Sequence, residues 1–178
     1  MNQLAILGVG NILEYDDAIA IYATTYLEKN FIFEPKIKII NGGVEGINLL
    51  NMFMEHQHII ILDAIEIDDK AGSIYHIPSH ELTGYGLNSG GAHEIGVLQC
   101  FDILELMGKD IPRSSVIGIV PQEIKVSIGL SETMLQAFNT YIETTLKIIS
   151  QNNIKISKKN SYTRLEKIIE DFQNPQRK

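Results

Sequence analysis

Short runs of consecutive apolar residues alternate along this chain with longer stretches in which apolar residues recur every three or four positions. Runs such as Leu4-Ala5-Ile6-Leu7 and Ile59-Ile60-Ile61-Leu62 show no polar alternation, so both of their faces must be buried. That is the habit of strands in a parallel sheet covered by helices on each side. Strands are predicted at about 3–9, 36–40, 58–63, 73–77 and 115–120, and helices at about 17–29, 46–55, 92–107 and 131–150. The alternation of the two is the βαβ signature of an α/β fold, and no internal repeat interrupts it.

The fourth strand is short and stops at Pro78, which cannot donate to a neighbouring ladder, so it is expected at a sheet edge. Gly84, Gly86, Asn88, Ser89, Gly90 and Gly91 make the stretch from Ser79 to Gly91 read as a mobile loop, placed immediately before His93. Beyond residue 152 the chain turns polar, with Lys155, Lys158, Lys159 and Asn160. Leu165, Ile168, Ile169 and Phe172 then recur at helical spacing. The expected organisation is a domain over 1–152, followed by a polar linker and an amphipathic helix over 153–178 that docks back on the domain or meets a partner.

With 178 residues the chain is long enough to bury a substantial core, and 44% hydrophobic with 21% charged residues is ordinary for a globular protein. A net charge of -7 argues against nonspecific binding to nucleic acid or to an anionic membrane. A lone cysteine, Cys100, rules out an internal disulfide and a thiol pair, and its place in a predicted helix suits a buried thiol. The chain enters a strand at once and has no bilayer-length apolar run, so a cytoplasmic protein is expected, acting as a monomer.

Four polar residues fall at the carboxyl ends of predicted strands or the starts of helices: Asp17, Asn41, Asp63 and His93. The first strand runs into Gly8-Val9-Gly10-Asn11-Ile12-Leu13 and the acidic pair Asp16-Asp17. A phosphate-binding loop wants glycine where Leu13 stands, and two carboxylates at the head of the helix would repel a pyrophosphate, so a nucleotide-binding flavodoxin-like module is disfavoured. If the first and third predicted strands are neighbours, the winding direction reverses between them and Asp17 and Asp63 converge on the crevice so formed. Two carboxylates and the imidazole of His93 would then make a mixed oxygen and nitrogen set able to ligate a divalent transition metal with positions left open. Each residue also has a plainer role. Asp16 or Asp17 would cap the first helix, Asp63 would bond the following loop, and His93 would meet a carbonyl at a helix start. His93-Glu94 lacks the second histidine of a zinc-protease helix, and no G-x-S-x-G elbow is present.

The segments Gly8 to Leu13 with Asp16-Asp17, Asn41-Gly42-Gly43, Ile61-Leu62-Asp63-Ala64, Ala92-His93-Glu94-Ile95-Gly96 and Gly118-Ile119-Val120-Pro121-Gln122-Glu123 together resemble the hydrogenase maturation endopeptidases, in order and in spacing, over about residues 3–150. The resemblance implies a three-layer α/β/α sandwich of the phosphorylase/hydrolase-like type, with a five-stranded mixed sheet in order 2-1-3-5-4 and an antiparallel fourth strand. It further implies an endopeptidase that removes the C-terminal extension of a nickel-iron hydrogenase large-subunit precursor after nickel insertion. Asp17, Asp63 and His93 would form the metal site, and the nickel would be supplied by the precursor. The chain departs from the family pattern at Asn41, where an aspartate is usual, and at Ala18-Ile19-Ala20, where the family commonly has Gly-Val-Gly. An amide can accept a hydrogen bond but cannot act as a base. Asn41 therefore leaves a second reading open, a noncatalytic nickel-sensing checkpoint for hydrogenase assembly.

Overall fold

The computed structural model describes residues 4–78, 80–81 and 100–175. Five strands form the central sheet: β1 (Leu4–Val9), β3 (Lys38–Gly43), β4 (His58–Ala64), β5 (Ile74–Pro78) and β6 (Arg113–Ile119). Their order is β3-β1-β4-β6-β5. All neighbours are parallel except β5, which runs antiparallel to β6 at the edge. This is the order expected from the resemblance, and Pro78 ends the edge strand as its missing N–H requires.

The central strands β1, β4 and β6 each carry a buried apolar run because each face meets its own layer of helices. On one side Ile6, Ile60, Leu62, Ile117 and Ile119 pack with α1 (Ile19–Asn30), α4 (Glu132–Ser150) and α5 (Leu165–Gln173). On the other, Ala5, Leu7, Ile59, Ile61 and Val116 pack with α2 (Leu50–Glu55) and with α3, whose described residues are 100–106. Successive residues of one strand thus serve opposite cores, as the twofold alternation of Cβ directions dictates. The result is the predicted three-layer α/β/α sandwich. Helix α1 presses closely on β1: a Cβ on Gly8 would stand 2.7 Å from both the Ala20 carbonyl oxygen and the Thr24 methyl carbon, so only glycine fits. No helix among the described residues is long and apolar enough to cross a membrane.

The C-terminal residues differ from expectation. Lys155–Lys158, read from sequence as part of a polar linker, form a strand, β7, antiparallel to β2 (Phe31–Glu34), which the sequence reading did not include. Both strands are four residues long, and their pairing joins parts of the chain more than a hundred residues apart, so neither carries a readable local period. Asn30, buried at the end of α1, anchors the junction. Its Nδ2 donates to the carbonyls of Tyr26 and Thr163, both at 3.0 Å, and its Oδ1 accepts from Thr163 N at 2.7 Å. Helix α5 then docks on α1, with Leu165 and Ile168 buried and the Phe172 ring set edge-on to Tyr22 at 5.5 Å.

Candidate functional site

The parallel strands β1, β3, β4 and β6 all point their carboxyl ends the same way, and the loops leaving them meet there. The loop after β1 turns at Gly10, which has φ of +147° and would place any Cβ 2.1 Å from the Asp17 carbonyl oxygen. A side chain at Gly10 is therefore excluded twice, by conformation and by contact. The turn brings Asn11 N to the Asp17 carboxylate, donating to Oδ2 at 2.5 Å. Asn11 also closes the loop on itself, with Oδ1 accepting from Leu13 N and Nδ2 donating to Glu14, each at 3.0 Å.

Asp16 and Asp17 are the two middle residues of a single 3-10 turn, Tyr15–Ala18, that leads into α1. The cap position of α1 belongs to Ala18, so neither carboxylate takes the capping role considered from sequence. Asp16 instead turns inward, with no exposed surface, and binds the loop between β6 and α4. Its Oδ2 accepts from Gln122 N (3.0 Å), Glu123 N (2.9 Å) and Ser131 Oγ (2.7 Å), and its Oδ1 accepts from Ser131 N (2.7 Å). Ser131 in turn caps α4 by accepting from Met134 N at 3.3 Å. One buried carboxylate thus holds two site loops and a helix start in register, while its neighbour Asp17 stays half-buried at the rim. The sequence marked Asp16 as one half of an acidic pair. Its partners lie over a hundred residues away, and nothing local announced them.

Asp63 stands one residue before the end of β4, opposite Gly118 of β6, and is 6% exposed. The 3-10 turn that carries Asp17 packs against β4, so the two carboxylates belong to the same end of adjacent strands. Beneath them the fully buried Tyr141 of α4 donates to the Ile117 carbonyl at 2.8 Å. Burial, with the charge of Asp63 adding to it, raises the Tyr141 phenol well above its ordinary value, so it remains a donor. Asn41 pairs with Gly8 in the ladder and is exposed at the carboxyl end of β3. The fourth candidate, His93, lies outside the described residues, as do most of the 79–91 loop and the first part of the 92–107 helix. Among the described residues no three His, Cys, Asp or Glu side chains form a metal-holding group, so the proposed ligand set depends on His93 for its third member.

Cys100 is fully buried at the start of the described part of α3, where its Sγ meets the Gly46 carbonyl at 3.6 Å and burial pushes its thiol up. It is the buried thiol that the sequence suggested.

The structure is a three-layer sandwich with two carboxylates at the carboxyl end of adjacent parallel strands, the end at which open α/β folds build their sites. The family model for hydrogenase maturation protease matches residues 21–148, and the chain belongs to that family. It is 27% identical over 154 residues to the hydrogenase 2 maturation protease of Escherichia coli strain K12, covering 86% of this chain and 94% of that one. It is 22% identical over 181 residues to the hydrogenase expression/formation protein HupD of Rhizobium leguminosarum bv. viciae, covering 99% and 90%. Among solved structures, the hydrogenase maturating endopeptidase HybD from E. coli superposes with a TM-score of 0.81 at 25% identity, over 88% of this chain and 98% of that one. The [NiFe] hydrogenase maturation protease HybD from Thermococcus kodakarensis superposes with a TM-score of 0.67 at 25% identity, over 83% and 99%.

Proposed function

We propose that this endopeptidase removes the C-terminal extension of a nickel-iron hydrogenase large-subunit precursor once nickel has been inserted, acting in the cytoplasm as a monomer. The observation that carries the reading is the placement of Asp17 and Asp63 at one end of adjacent parallel strands, in a chain of the hydrogenase maturation protease family. Nickel enters as part of the substrate. Asp17, Asp63 and His93 offer the oxygen and nitrogen donors that a divalent transition metal accepts, and contact with the precursor's metal would restrict cleavage to loaded precursor and fix the peptide bond in place. A metal so held can polarise a peptide carbonyl or activate water.

Asn41 supports a second reading, in which the protein binds the loaded precursor as a checkpoint without cutting it, because the amide at the end of β3 cannot take a proton. One experiment separates the two. The protein is incubated with nickel-loaded and nickel-free precursor, and the precursor's C-terminus is weighed by mass spectrometry. Cleavage is expected only of the loaded form, and Asp17→Asn or Asp63→Asn is expected to slow it by about 10²-fold or more. Equal cleavage of both forms, or full activity in both variants, would overturn the nickel-gated reading. Binding without cleavage would establish the checkpoint.

A further inference from the structure

The loops at the carboxyl end of the sheet leave four large apolar side chains in solvent: Leu13 (53% exposed), Val44 (56%), Ile124 (45%) and Val126 (92%). A single exposed residue of this kind is ordinary, but several around one crevice form a patch. Backbone bonds fix their grouping. Ser127 N donates to the Leu13 carbonyl and Tyr15 N to the Ser127 carbonyl, both at 2.9 Å, in a parallel bridge that pairs Glu14 with Ser127. Leu13 and Val126 each precede that bridge by one residue and so lie side by side. Gly10 N donates to the Gly43 carbonyl at 3.1 Å, which draws Val44 to the same loop. Ile124 follows Glu123, whose amide is held by Asp16 at 2.9 Å. The loop that carries Asp17 is the one to which the other two segments are tied.

The charges on these loops are lopsided. Among the described residues of the loops after β1, β3 and β6, Glu14, Glu45 and Glu123 stand with Asp16 and Asp17, and the one cation, Lys125, is already engaged by Glu123 at 2.7 Å and by the Tyr15 ring at 4.3 Å from its centroid. An apolar collar in a negative field favours a partner segment that is apolar and basic.

We propose that Leu13, Val44, Ile124 and Val126 form the docking surface for the precursor, and that the segment they receive is an apolar stretch that also carries Lys or Arg. This inference rests on the crevice being the cleavage site. Leu13 and Asp17 stand on one loop, to which the segments bearing Val44 and Val126 are bonded, so a chain lying on the collar is held close to Asp17.

The test uses the full-length protein, the Leu13→Ser/Val126→Ser variant and Val44→Ser, with nickel-loaded precursor as the probe for both binding and cleavage. Leu106→Ser, at an exposed leucine near the amino end of the sheet, is the control that leaves both unchanged. Each collar side chain removed is expected to weaken binding by about tenfold. The loss should lie in KM rather than in the rate at saturating precursor, and binding should weaken as salt is raised. Wild-type cleavage with KM and affinity unchanged in the collar variants would overturn the docking surface while leaving the protease reading intact. Collar-dependent binding without cleavage by wild type would do the reverse. Self-association of the wild type that the same substitutions abolish would assign the collar to a second copy and overturn the proposal.

Discussion

Replacing Asp16 tests whether one buried carboxylate organises the site. In Asp16→Ala the amides of Gln122, Glu123 and Ser131 lose their acceptor, and so does the Ser131 hydroxyl. Hydrogen bonds to a charged acceptor are worth about 1.5–3 kcal/mol each, but groups sharing one carboxylate do not add fully, and water reaching the opened loop recovers part of the loss. A net cost of about 4 kcal/mol is expected, which for a chain of this size lowers the melting temperature by roughly 8–16 °C. Asp16→Asn should cost less. Its amide oxygen can occupy the Oδ2 position, which receives three of the four donors, leaving only the Oδ1 position with a donor facing the Ser131 amide. Thermal and urea unfolding followed by circular dichroism measure the order wild type, Asn, Ala. Because Asp17 sits on the loop that Asp16 anchors, precursor cleavage in the Asn variant should fall even below its melting temperature. An Ala variant within about 1 kcal/mol of wild type would refute the anchoring argument. So would an Asn variant as unstable as the Ala variant.

Asn41→Asp should leave single-turnover cleavage of nickel-loaded precursor nearly unchanged if the side chain at this position serves only as a hydrogen-bond acceptor; a gain of about 10²–10⁴-fold would show that a proton acceptor is missing from the natural protein. Cys100→Ser should cleave like wild type, and cleavage should resist serine- and cysteine-directed inhibitors; loss of activity in a folded Cys100→Ser protein would make the thiol a nucleophile after all. Burial holds the partly buried His58 below the ordinary imidazole value of 6.5, and the Arg113 charge adds to the effect. Its unfolded form therefore takes a proton first, so the stability it contributes is complete above that value and is lost as pH falls through the lowered folded value. Melting curves between about pH 7 and pH 5 should show a shallower decline in His58→Gln, and an unchanged slope would count against this linkage.

The sequence by itself determined the layered fold, because each central strand is buried on both faces and its apolar run cannot be satisfied any other way. It also determined the edge position of the strand ending at Pro78 and the end of the sheet where Asp17, Asn41 and Asp63 lie, since these follow from residues within a few positions of one another. Tertiary structure decided what depends on distant partners. The β2–β7 pair exists because Phe31–Glu34 and Lys155–Lys158 meet across the folded chain. Asp16 became the anchor of the loop from Gln122 to Ser131 because the close packing of α1 on β1 turns it inward, while Asp17, the next residue in the same turn, is left at the rim. Two adjacent aspartates look alike in a sequence. Only the backbone turn at Gly10 and the position of β6 beside β4 made one of them a buried anchor and left the other half-buried, accepting from Asn11 N.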